Sequence, residues 1–272
     1  MTEMLEEGRI YAGNCLRLLP RIAPGSVDLV FADPPFNIGY EYDIYEDRME
    51  VEAYTEWTRR WISLCMDALK PNGTLWVAAG DEVVAEIKTV ASGLGLILRN
   101  WVVWHYTFGV HCKKKFARSH THLLYFVKSP LSFTFNDSDV RVPSARQAVY
   151  RDKRANSAGR VPDSTWILRP QDAPGSFSGD SDTWHISRVC GTFRERAGWH
   201  GCQMPVEVLS RVIRACSNPG ELVLDPFAGS GTTLVAAQML GRRWIGTELS
   251  ANYAAQASRR IESVAEATAC PS

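Results

Sequence analysis

Apolar and polar positions divide the chain into two patterned parts with an irregular stretch between them. In the patterned parts, short apolar runs predict buried strands at 27–32, 74–79, 123–127, 222–224 and 244–247. Apolar residues at helical spacing predict helices at 54–68, 83–94, 206–215, 232–240 and 252–264. A Pro71-Asn72-Gly73 turn is expected to follow the first helix. Strands that alternate with helices predict an α/β fold with parallel strand pairing.

The stretch between these parts, residues 129–187, lacks periodicity and is rich in Pro, Gly, Ser, Asp and Arg. A long irregular stretch inside a compact domain is usually functional or disordered. Scattered aromatic residues, among them Phe133, Trp166 and Trp184, indicate that it is at least partly anchored. Because a chain of 272 residues can bury one sizeable core, we predict a single domain with an insertion.

The composition excludes several classes of protein. With 45% hydrophobic and 22% charged residues, it is typical of a soluble globular protein. No apolar run approaches the roughly 20 residues that cross a bilayer, and the acidic N-terminus lacks the apolar core of a secretory signal. Seven scattered cysteines without a CxxC pair suit reduced thiols better than a disulfide framework. We therefore predict a cytoplasmic protein without a membrane association.

The net charge is formally zero, but the cations are unevenly distributed. One cluster lies among aromatic residues near position 110, and another lies in the irregular stretch. Each cluster alone is typical of a solvated loop face, whereas two clusters near aromatic residues favour a groove for a polyanion. The cations that we consider candidates for nucleic-acid contacts are Lys113, Lys114, Lys115, Arg118, Arg141, Arg146, Arg151 and Arg154.

Residues 225–233 read Asp-Pro-Phe-Ala-Gly-Ser-Gly-Thr-Thr and lie between a predicted strand and a predicted helix. Glycines there let the backbone approach a ligand, and the helix N-terminus favours a carboxylate or phosphate. Glu248 ends the next strand, where a carboxylate can bind both hydroxyls of a ribose. Neither the lysine of a Walker loop nor the third glycine of a dinucleotide fingerprint is present. The unit predicts a nucleoside-binding site, with a bare turn as the alternative.

Asp33-Pro34-Pro35-Phe36 follows a predicted strand directly and suits chemistry on the amino group of a base. Such a nitrogen is a poor nucleophile because its lone pair is delocalised into the ring. The Asp33 carboxylate and the Pro34 carbonyl can accept both N–H protons and so free the lone pair. Phe36 offers a flat face for a base extruded from a duplex. The alternative is a surface turn, for which Asp-Pro-Pro is equally suitable.

These segments, in this order, resemble the β arrangement of the amino-directed DNA methyltransferases, in which the catalytic motif comes first and the cofactor loop last. The resemblance covers segments at 13–16, 27–36, 104–128, 199–205, 225–233 and 246–250. It implies a circularly permuted, Rossmann-like methyltransferase sandwich, with helices on both faces of a mostly parallel sheet, and S-adenosylmethionine as the cofactor. It further implies a catalytic half (1–128), a target-recognition insertion (129–187) and a cofactor-binding half (188–272).

The resemblance also assigns roles to residues. Catalysis falls to Asp33, Pro34, Pro35 and Phe36. Cofactor binding falls to Asn14, Cys15, Asp33, Gln203, Asp225, Phe227, Ala228, Gly229, Ser230, Gly231, Thr232, Thr233, Glu248 and Leu249. Residues 200–205 resemble a His-Pro-Thr-Gln-Lys-Pro motif, but its lysine is Met204 here. A cationic contact from that loop to the cofactor is therefore not expected, whereas Gln203 is expected to line it.

The substrate that the resemblance implies is double-stranded DNA. Adenine N6 is the preferred target because Asp-Pro-Pro-aromatic is more frequent in the adenine-directed members, and cytosine N4 stays open because both bases present the same amino geometry to Asp33. An RNA base, a protein amide and a non-catalytic DNA-binding module are further alternatives. A homodimer and a companion restriction endonuclease are also compatible with the resemblance. No metal site is predicted, because the histidines and cysteines lack paired-ligand spacing.

Overall fold

The computed structural model describes residues 3–106, 112–114, 116–148, 150–164, 189 and 196–269. Within this part of the chain, seven strands form one sheet that helices cover on both faces. The strands are β1 (Arg9–Ala12), β2 (Val27–Ala32), β3 (Leu69–Ala79), β4 (Ile97–His105), β5 (His120–Val127), β6 (Leu222–Asp225) and β7 (Arg243–Glu248). The helices are α1 (Cys15–Leu18), α2 (Val51–Ala68), α3 (Val84–Gly93), α4 (Ala145–Ala148), α5 (Val206–Cys216), α6 (Thr232–Met239) and α7 (Ala251–Ala269).

The sheet is mostly parallel, as predicted. Five neighbouring strands, in the order β1-β7-β6-β2-β3, are parallel to one another. β5 is antiparallel to both β3 and β4, so the parallel pairing predicted for the strand at 123–127 is wrong. The physical reason is that β5 follows β4 without a crossover helix in the sequence pattern, and strands joined in that way pair antiparallel.

Strands from the two parts of the chain pair with each other in this sheet. β1 pairs with β7, with Ala12 opposite Glu248, and β2 pairs with β6, with Val30 opposite Leu224. The two strands from after the irregular stretch therefore lie between strands from before it, which is the arrangement expected of a circularly permuted chain. The carboxyl ends of β2 and β6 consequently lie side by side, and in open α/β sheets ligands bind at such ends.

The sheet buries a separate apolar core on each face. In β2, Leu29 and Phe31 face the core beneath α5 and α6, whereas Val30 and Ala32 face the core beneath α2 and α3. All four are fully buried, and each large apolar side chain of this kind stabilises the fold by about 1.5–3 kcal/mol. Because both faces are covered, β2 is a continuous apolar run apart from Asp28.

The five predicted helices are observed as α2, α3, α5, α6 and α7, although α7 ends five residues later than predicted, and the short helices α1 and α4, two strands and a turn differ from prediction. β1 and β4 form the two edges of the sheet, where partial exposure leaves a weak apolar pattern. The Pro71-Asn72-Gly73 segment lies inside β3 instead of forming a separate turn. The pairing with β2 shifts register there, from Leu69 opposite Val27 to Thr74 opposite Leu29, and Gly73 lies close to β2, since a Cβ on it would be 3.2 Å from the carbonyl oxygen of Val27.

Of the predicted insertion, residues 129–148 and 150–164 are described. They form a short 3-10 turn at Asp137–Val140, helix α4, and an antiparallel bridge between Val142 and Arg160. The predicted anchors Trp166 and Trp184 lie outside the described residues. None of the described helices combines the length and the apolar character needed to cross a membrane.

Candidate active site

A cavity of about 670 Å³ opens at the carboxyl ends of the parallel strands. Its walls include the Asp33 loop after β2, the loop from Asp225 to α6, and the end of β7, together with residues of several other loops. The sequence-predicted residues that line it are Asn14, Cys15, Asp33, Pro34, Pro35, Phe36, Arg118, Gln203, Asp225, Phe227, Ala228, Gly229, Ser230, Thr232, Thr233, Glu248 and Leu249. The two motifs that lie about 190 residues apart in the chain therefore share one cavity.

Asp225 ends β6 at the floor of the cavity. Its carboxylate accepts hydrogen bonds from the N–H of Phe227, at 2.9 Å, and from the Thr233 hydroxyl. Burial raises the pKa of Asp225 to about 7, in spite of these two bonds. The carboxylate thus fixes the turn that leads into α6 and places negative charge beneath the cavity.

Glu248 ends β7 on the adjacent wall. Its Oε2 accepts the N–H of Gly229 at 2.8 Å, and its Oε1 accepts the N–H of Ser250 at 2.9 Å. Burial raises the pKa of Glu248 above its usual range. Each oxygen still has acceptor capacity, since a carboxylate offers about four lone-pair sites. Glu248 can therefore bind a pair of hydroxyls that enters the cavity.

The two glycines of the loop have different tasks, although both have left-handed backbone conformations. Gly229 lines the cavity, and a Cβ on it would lie 3.1 Å from Nε2 of His200. Gly231 does not line the cavity; a Cβ on it would lie 3.0 Å from the Cβ of Ala257 in α7. Gly231, which the resemblance assigns to the cofactor, therefore serves the packing of α6 against α7.

Asp33 follows β2 and faces Asp225 across the cavity. Burial, and then the charge of Asp225, raise the pKa of Asp33 to about 7. A carboxyl group in this state gains or loses its proton near neutral pH, so its charge responds to whatever binds beside it.

The turn that carries Asp33 is held by two residues that the sequence did not reveal. The Tyr54 hydroxyl of α2 donates to the carbonyl of Pro35 at 2.8 Å. The buried Asp47 carboxylate accepts the N–H groups of Asn37 and Ile38 at 2.9 and 3.2 Å. Asn37 has a left-handed backbone conformation, with φ +57, and these bonds stabilise it. Tyr54 and Asp47 lie about 10 or more residues from the turn in sequence, so local spacing gave no signal for them.

A group of aromatic side chains covers the same cavity, and the sequence analysis missed it. Tyr42 and Tyr45 are stacked with ring centroids 4.7 Å apart, and His200 meets Tyr253 edge-on at 5.0 Å. Burial lowers the pKa of His200 to about 4, so the imidazole is neutral at physiological pH. Three tyrosines within six residues, closely following the Asp33 motif, were the available signal.

Three other residues that the resemblance assigns to cofactor binding also interact with the protein itself. The Asn14 side-chain oxygen accepts the N–H of Leu16 at 2.9 Å and thereby caps α1. The Gln203 side-chain oxygen accepts the N–H of Ala197 at 2.8 Å. Burial raises the pKa of the Cys15 thiol to about 12, so this thiol stays protonated at neutral pH. All three still line the cavity.

The candidate DNA-contacting cations differ in their exposure and in their ion pairs. Lys113 and Lys114 are exposed, whereas Lys115 lies outside the described residues. Arg146 and Arg154 both pair with Asp152, at 2.7 and 3.1 Å, and Arg141 pairs with Asp137. Arg151 is exposed and has a left-handed backbone conformation. Arg118 differs from all of these because it lines the cavity.

One cluster of potential metal ligands lies near Arg118. Asp81 Oδ1 lies 3.1 Å from His120 Nε2 and 2.9 Å from His122 Nε2. The indole N–H of Trp101 donates to His122 Nδ1 at 2.9 Å. An indole nitrogen only donates, so the proton of neutral His122 must be on Nε2, which points to Asp81. A metal would need the lone pair on that same nitrogen, and the Arg118 guanidinium already contacts Asp81, so this geometry does not fit a cation.

Comparison with known proteins agrees with this geometry. Residues 27–259 match the N6/N4 methyltransferase family model that is described as DNA methylase. The type II methyltransferase M.HpaI of Haemophilus parainfluenzae is 32% identical over 94% of this chain and 74% of its own length. The DNA adenine methyltransferase YhdJ of Escherichia coli K12 is 32% identical over 94% of this chain and 83% of its own length.

Solved structures show the same fold. The PvuII DNA methyltransferase, which is cytosine-N4-specific, superimposes with a TM-score of 0.67 at 18% identity, over 97% of this chain and 93% of its own. TTHA0409 of Thermus thermophilus, complexed with S-adenosyl-L-methionine, superimposes with a TM-score of 0.62 at 25% identity, over 94% of each chain. The chain therefore belongs to the N6/N4 DNA methylase family and is a DNA amino-methyltransferase.

Proposed function

We propose that this protein transfers the methyl group of S-adenosylmethionine to the N6 amino group of an adenine flipped out of double-stranded DNA, at a specific sequence. One observation carries the proposal: Asp33 and the Asp225–Glu248 wall line the same cavity. A base amino group held by Asp33 and a nucleoside held by Glu248 would then be neighbours, and proximity with alignment supplies much of the rate in a transfer of this kind.

The walls of the cavity fit the cofactor. The acceptor capacity left on Glu248 suits the two ribose hydroxyls, and the N-terminus of α6 with the Gly229 loop suits its carboxylate. Asp33 and Asp225 would supply negative charge to a sulfonium bound in the cavity that they both line. When bound, this group supplies a methyl group already activated for transfer. The complex of TTHA0409 with S-adenosyl-L-methionine supports the same cofactor here.

The Asp33 turn fits the acceptor of the methyl group. The carboxylate of Asp33 and the carbonyl of Pro34 accept the two N–H protons, and Phe36 stacks on the extruded ring. Only the ionised form of Asp33 is purely an acceptor, and a positively charged cofactor in the same cavity would favour that form by lowering the pKa of Asp33. Tyr54 and Asp47 hold the turn while the base enters.

The duplex is held by cations outside the cavity. Lys113 and Lys114 are exposed and free to reach phosphates, and the arginines of the insertion carry further positive charge. Phosphate contacts orient the duplex, whereas sequence is read at base edges. Residues 129–187 remain our proposal for that recognition region. The type II methyltransferases among its relatives support a role beside a companion restriction endonuclease.

Adenine is preferred over cytosine for two reasons. The Asp-Pro-Pro-Phe motif has the form that is more frequent in adenine-directed members, and YhdJ, at 32% identity, is a DNA adenine methyltransferase. Cytosine N4 is the second candidate because the family includes both specificities and the PvuII enzyme with the same fold is cytosine-N4-specific.

The test is nucleoside mass spectrometry of duplex DNA treated with the protein and S-adenosylmethionine. The expected product is N6-methyladenine, which should be absent when Asp33→Ala replaces the natural protein. N4-methylcytosine as the sole product would overturn the choice of base. Transfer to RNA or protein, with none to duplex DNA, would overturn the substrate class.

A further inference from the structure

Arg118 lies on the cavity wall beside the ring of Phe36. Both side chains pack over Gly80: a Cβ there would lie 3.0 Å from the ring edge of Phe36 and 3.4 Å from Nη1 of Arg118. The Arg118 side chain is 22% exposed, far less than a typical surface arginine. The guanidinium therefore belongs to the part of the cavity where a base would stack.

Two carboxylates hold the guanidinium in one orientation. Its Nε donates to Asp81 Oδ2 at 3.1 Å, and its Nη2 donates to Glu82 Oε1. Asp81 is held in turn by His122 and His120, and His122 accepts from the indole of Trp101 in β4. A chain of hydrogen bonds thus runs from the edge of the sheet to the cavity and restricts the rotamer of Arg118.

This arrangement leaves the third nitrogen of the guanidinium available. Among the described residues, Nη1 has no hydrogen-bond partner, and it lies over Gly80, where the ring edge of Phe36 and the Oε2 atom of Glu82 also approach. A cation for phosphates would be exposed and unneutralised, as Lys113 is, whereas Arg118 already has two carboxylates on its other nitrogens. What remains is a fixed N–H donor beside the stacking face, which suits an uncharged acceptor in the plane of a ring.

We propose that Arg118 contacts the target base itself, with Nη1 donating to the ring nitrogen next to the amino-bearing carbon. That nitrogen is N1 in adenine and N3 in cytosine, so the shared chemistry is an acceptor adjacent to the amino group. The contact would fix the rotation of the ring on Phe36 and so direct the amino group to Asp33. This inference rests on the proposed function.

The experiment is a double-mutant cycle between Arg118→Ala and a target base that lacks the acceptor. Duplexes carry adenine or 1-deazaadenine at the target position, or cytosine and 3-deazacytosine if cytosine is the substrate. The deaza base also changes the reactivity of the amino group, but that change is the same for both proteins and cancels in the cycle. The measured quantity is the ratio of kcat/KM between natural and deaza duplex.

In the natural protein, the ratio of kcat/KM on the natural duplex to kcat/KM on the deaza duplex is expected to be about 10- to 100-fold larger than in the Arg118→Ala variant. This is the range for a hydrogen bond from a charged donor. Arg243→Ala is the matched control. Arg243 pairs with Glu7 at 2.6 Å and begins β7, at the opposite end of the sheet from the cavity, so its variant should keep the full ratio. Cofactor affinity, measured by calorimetry, should be equal in all three proteins.

Equal ratios in the natural protein and Arg118→Ala would overturn the base contact. So would a uniform loss of DNA affinity with a salt slope reduced by about one, because that pattern identifies a phosphate contact. A natural protein that binds cofactor but methylates neither natural duplex would refute the proposed function, and the role of Arg118 with it.

Discussion

The carboxylates of Asp33 and Asp225 face one cavity from the ends of adjacent parallel strands, and the charge of Asp225 helps to raise the pKa of Asp33. Two acidic groups buried in one cavity repel each other unless one is protonated or a cation binds there. This relationship provides electrostatic attraction for a cationic ligand at the point where the two motifs meet.

Removing the Asp33 carboxylate should separate catalysis from cofactor binding. Asp33→Ala is expected to lower single-turnover methyl transfer by at least about 100-fold, the scale for losing one preorganised electrostatic contact in an active site. The affinity for the cofactor should change only a few-fold, because Glu248 and the α6 N-terminus remain. Rapid-quench transfer with labelled cofactor and calorimetry measure the two effects. Unchanged turnover would remove Asp33 from the chemistry.

Cofactor binding should release protons near neutral pH. Asp33 and Asp225 each have a pKa of about 7 in the free protein, and a positively charged cofactor bound in the same cavity would favour their ionised forms. Calorimetry at pH 7 in two buffers of different ionisation enthalpy should therefore report net proton release, and the release should be smaller in Asp33→Asn, where only Asp225 still titrates. Identical binding enthalpies in both buffers would contradict the raised pKa values.

Asp33 and Asp225 should also make the free energy of unfolding depend on pH. Their pKa values are higher in the folded protein than in the unfolded chain, so the folded state binds more protons between pH 4 and 7. Their contribution to the free energy of unfolding is complete below pH 4 and is lost as pH rises through 7. Denaturant unfolding at pH 5 and 8 should show a smaller pH-dependent loss in Asp33→Asn than in the natural protein. An equal loss in both would rule out Asp33 as a source.

The two loop glycines should respond differently to alanine. Gly231 has φ +76 and contacts Ala257 without lining the cavity. Gly231→Ala is therefore expected to destabilise the fold by about 1–3 kcal/mol while the folded fraction keeps its cofactor affinity. Glu248→Gln, which keeps the shape of the side chain but replaces one of its two accepting oxygens by a donor, should weaken cofactor binding much more than Gly231→Ala does. Denaturant titration measures the stability of both variants, and calorimetry measures their cofactor affinity. A loss of cofactor affinity in Gly231→Ala with unchanged stability would place Gly231 in the cofactor site.

The sequence was sufficient to predict the central strands and helices and the main motifs. Strands that are covered on both faces and loops that follow strand ends have distinct local patterns. Asp33 and Glu248 could be found because each follows or ends a predicted strand. Tyr54 and Asp47 could not, because their contacts with the Asp33 turn depend on how α2 and the tyrosine-containing loop fold back. Arg118 was found as a cation, but its position over Gly80 depends on the pairing of β3 with β5.

The hydroxyl of Tyr54 should act by positioning the catalytic turn. Tyr54→Phe removes only the bond to the Pro35 carbonyl and keeps the buried ring. A loosened turn should lower kcat about 5- to 30-fold and change the KM for cofactor only a few-fold, since Glu248 and the Gly229 loop on the other wall still bind it. Tyr11→Phe, whose hydroxyl lies near Glu6 far from this turn, is the matched control. An equal fall in kcat for Tyr54→Phe and Tyr11→Phe would indicate a general loss of stability instead.

Exposed lysines and ion-paired arginines should differ in how they affect DNA binding. Replacing Lys113 and Lys114 together by alanine is expected to reduce the slope of log affinity against log salt by about two, since each phosphate contact contributes about 0.9.

Arg146 and Arg154 share Asp152, so part of their charge is neutralised before DNA binds. The Arg146→Ala, Arg154→Ala double variant leaves Asp152 unpaired and should lower affinity with a smaller change of slope. Titration of a labelled duplex at several salt concentrations measures both slopes. An unchanged slope in the lysine variant would remove that loop from the interface and leave the insertion as the main phosphate contact.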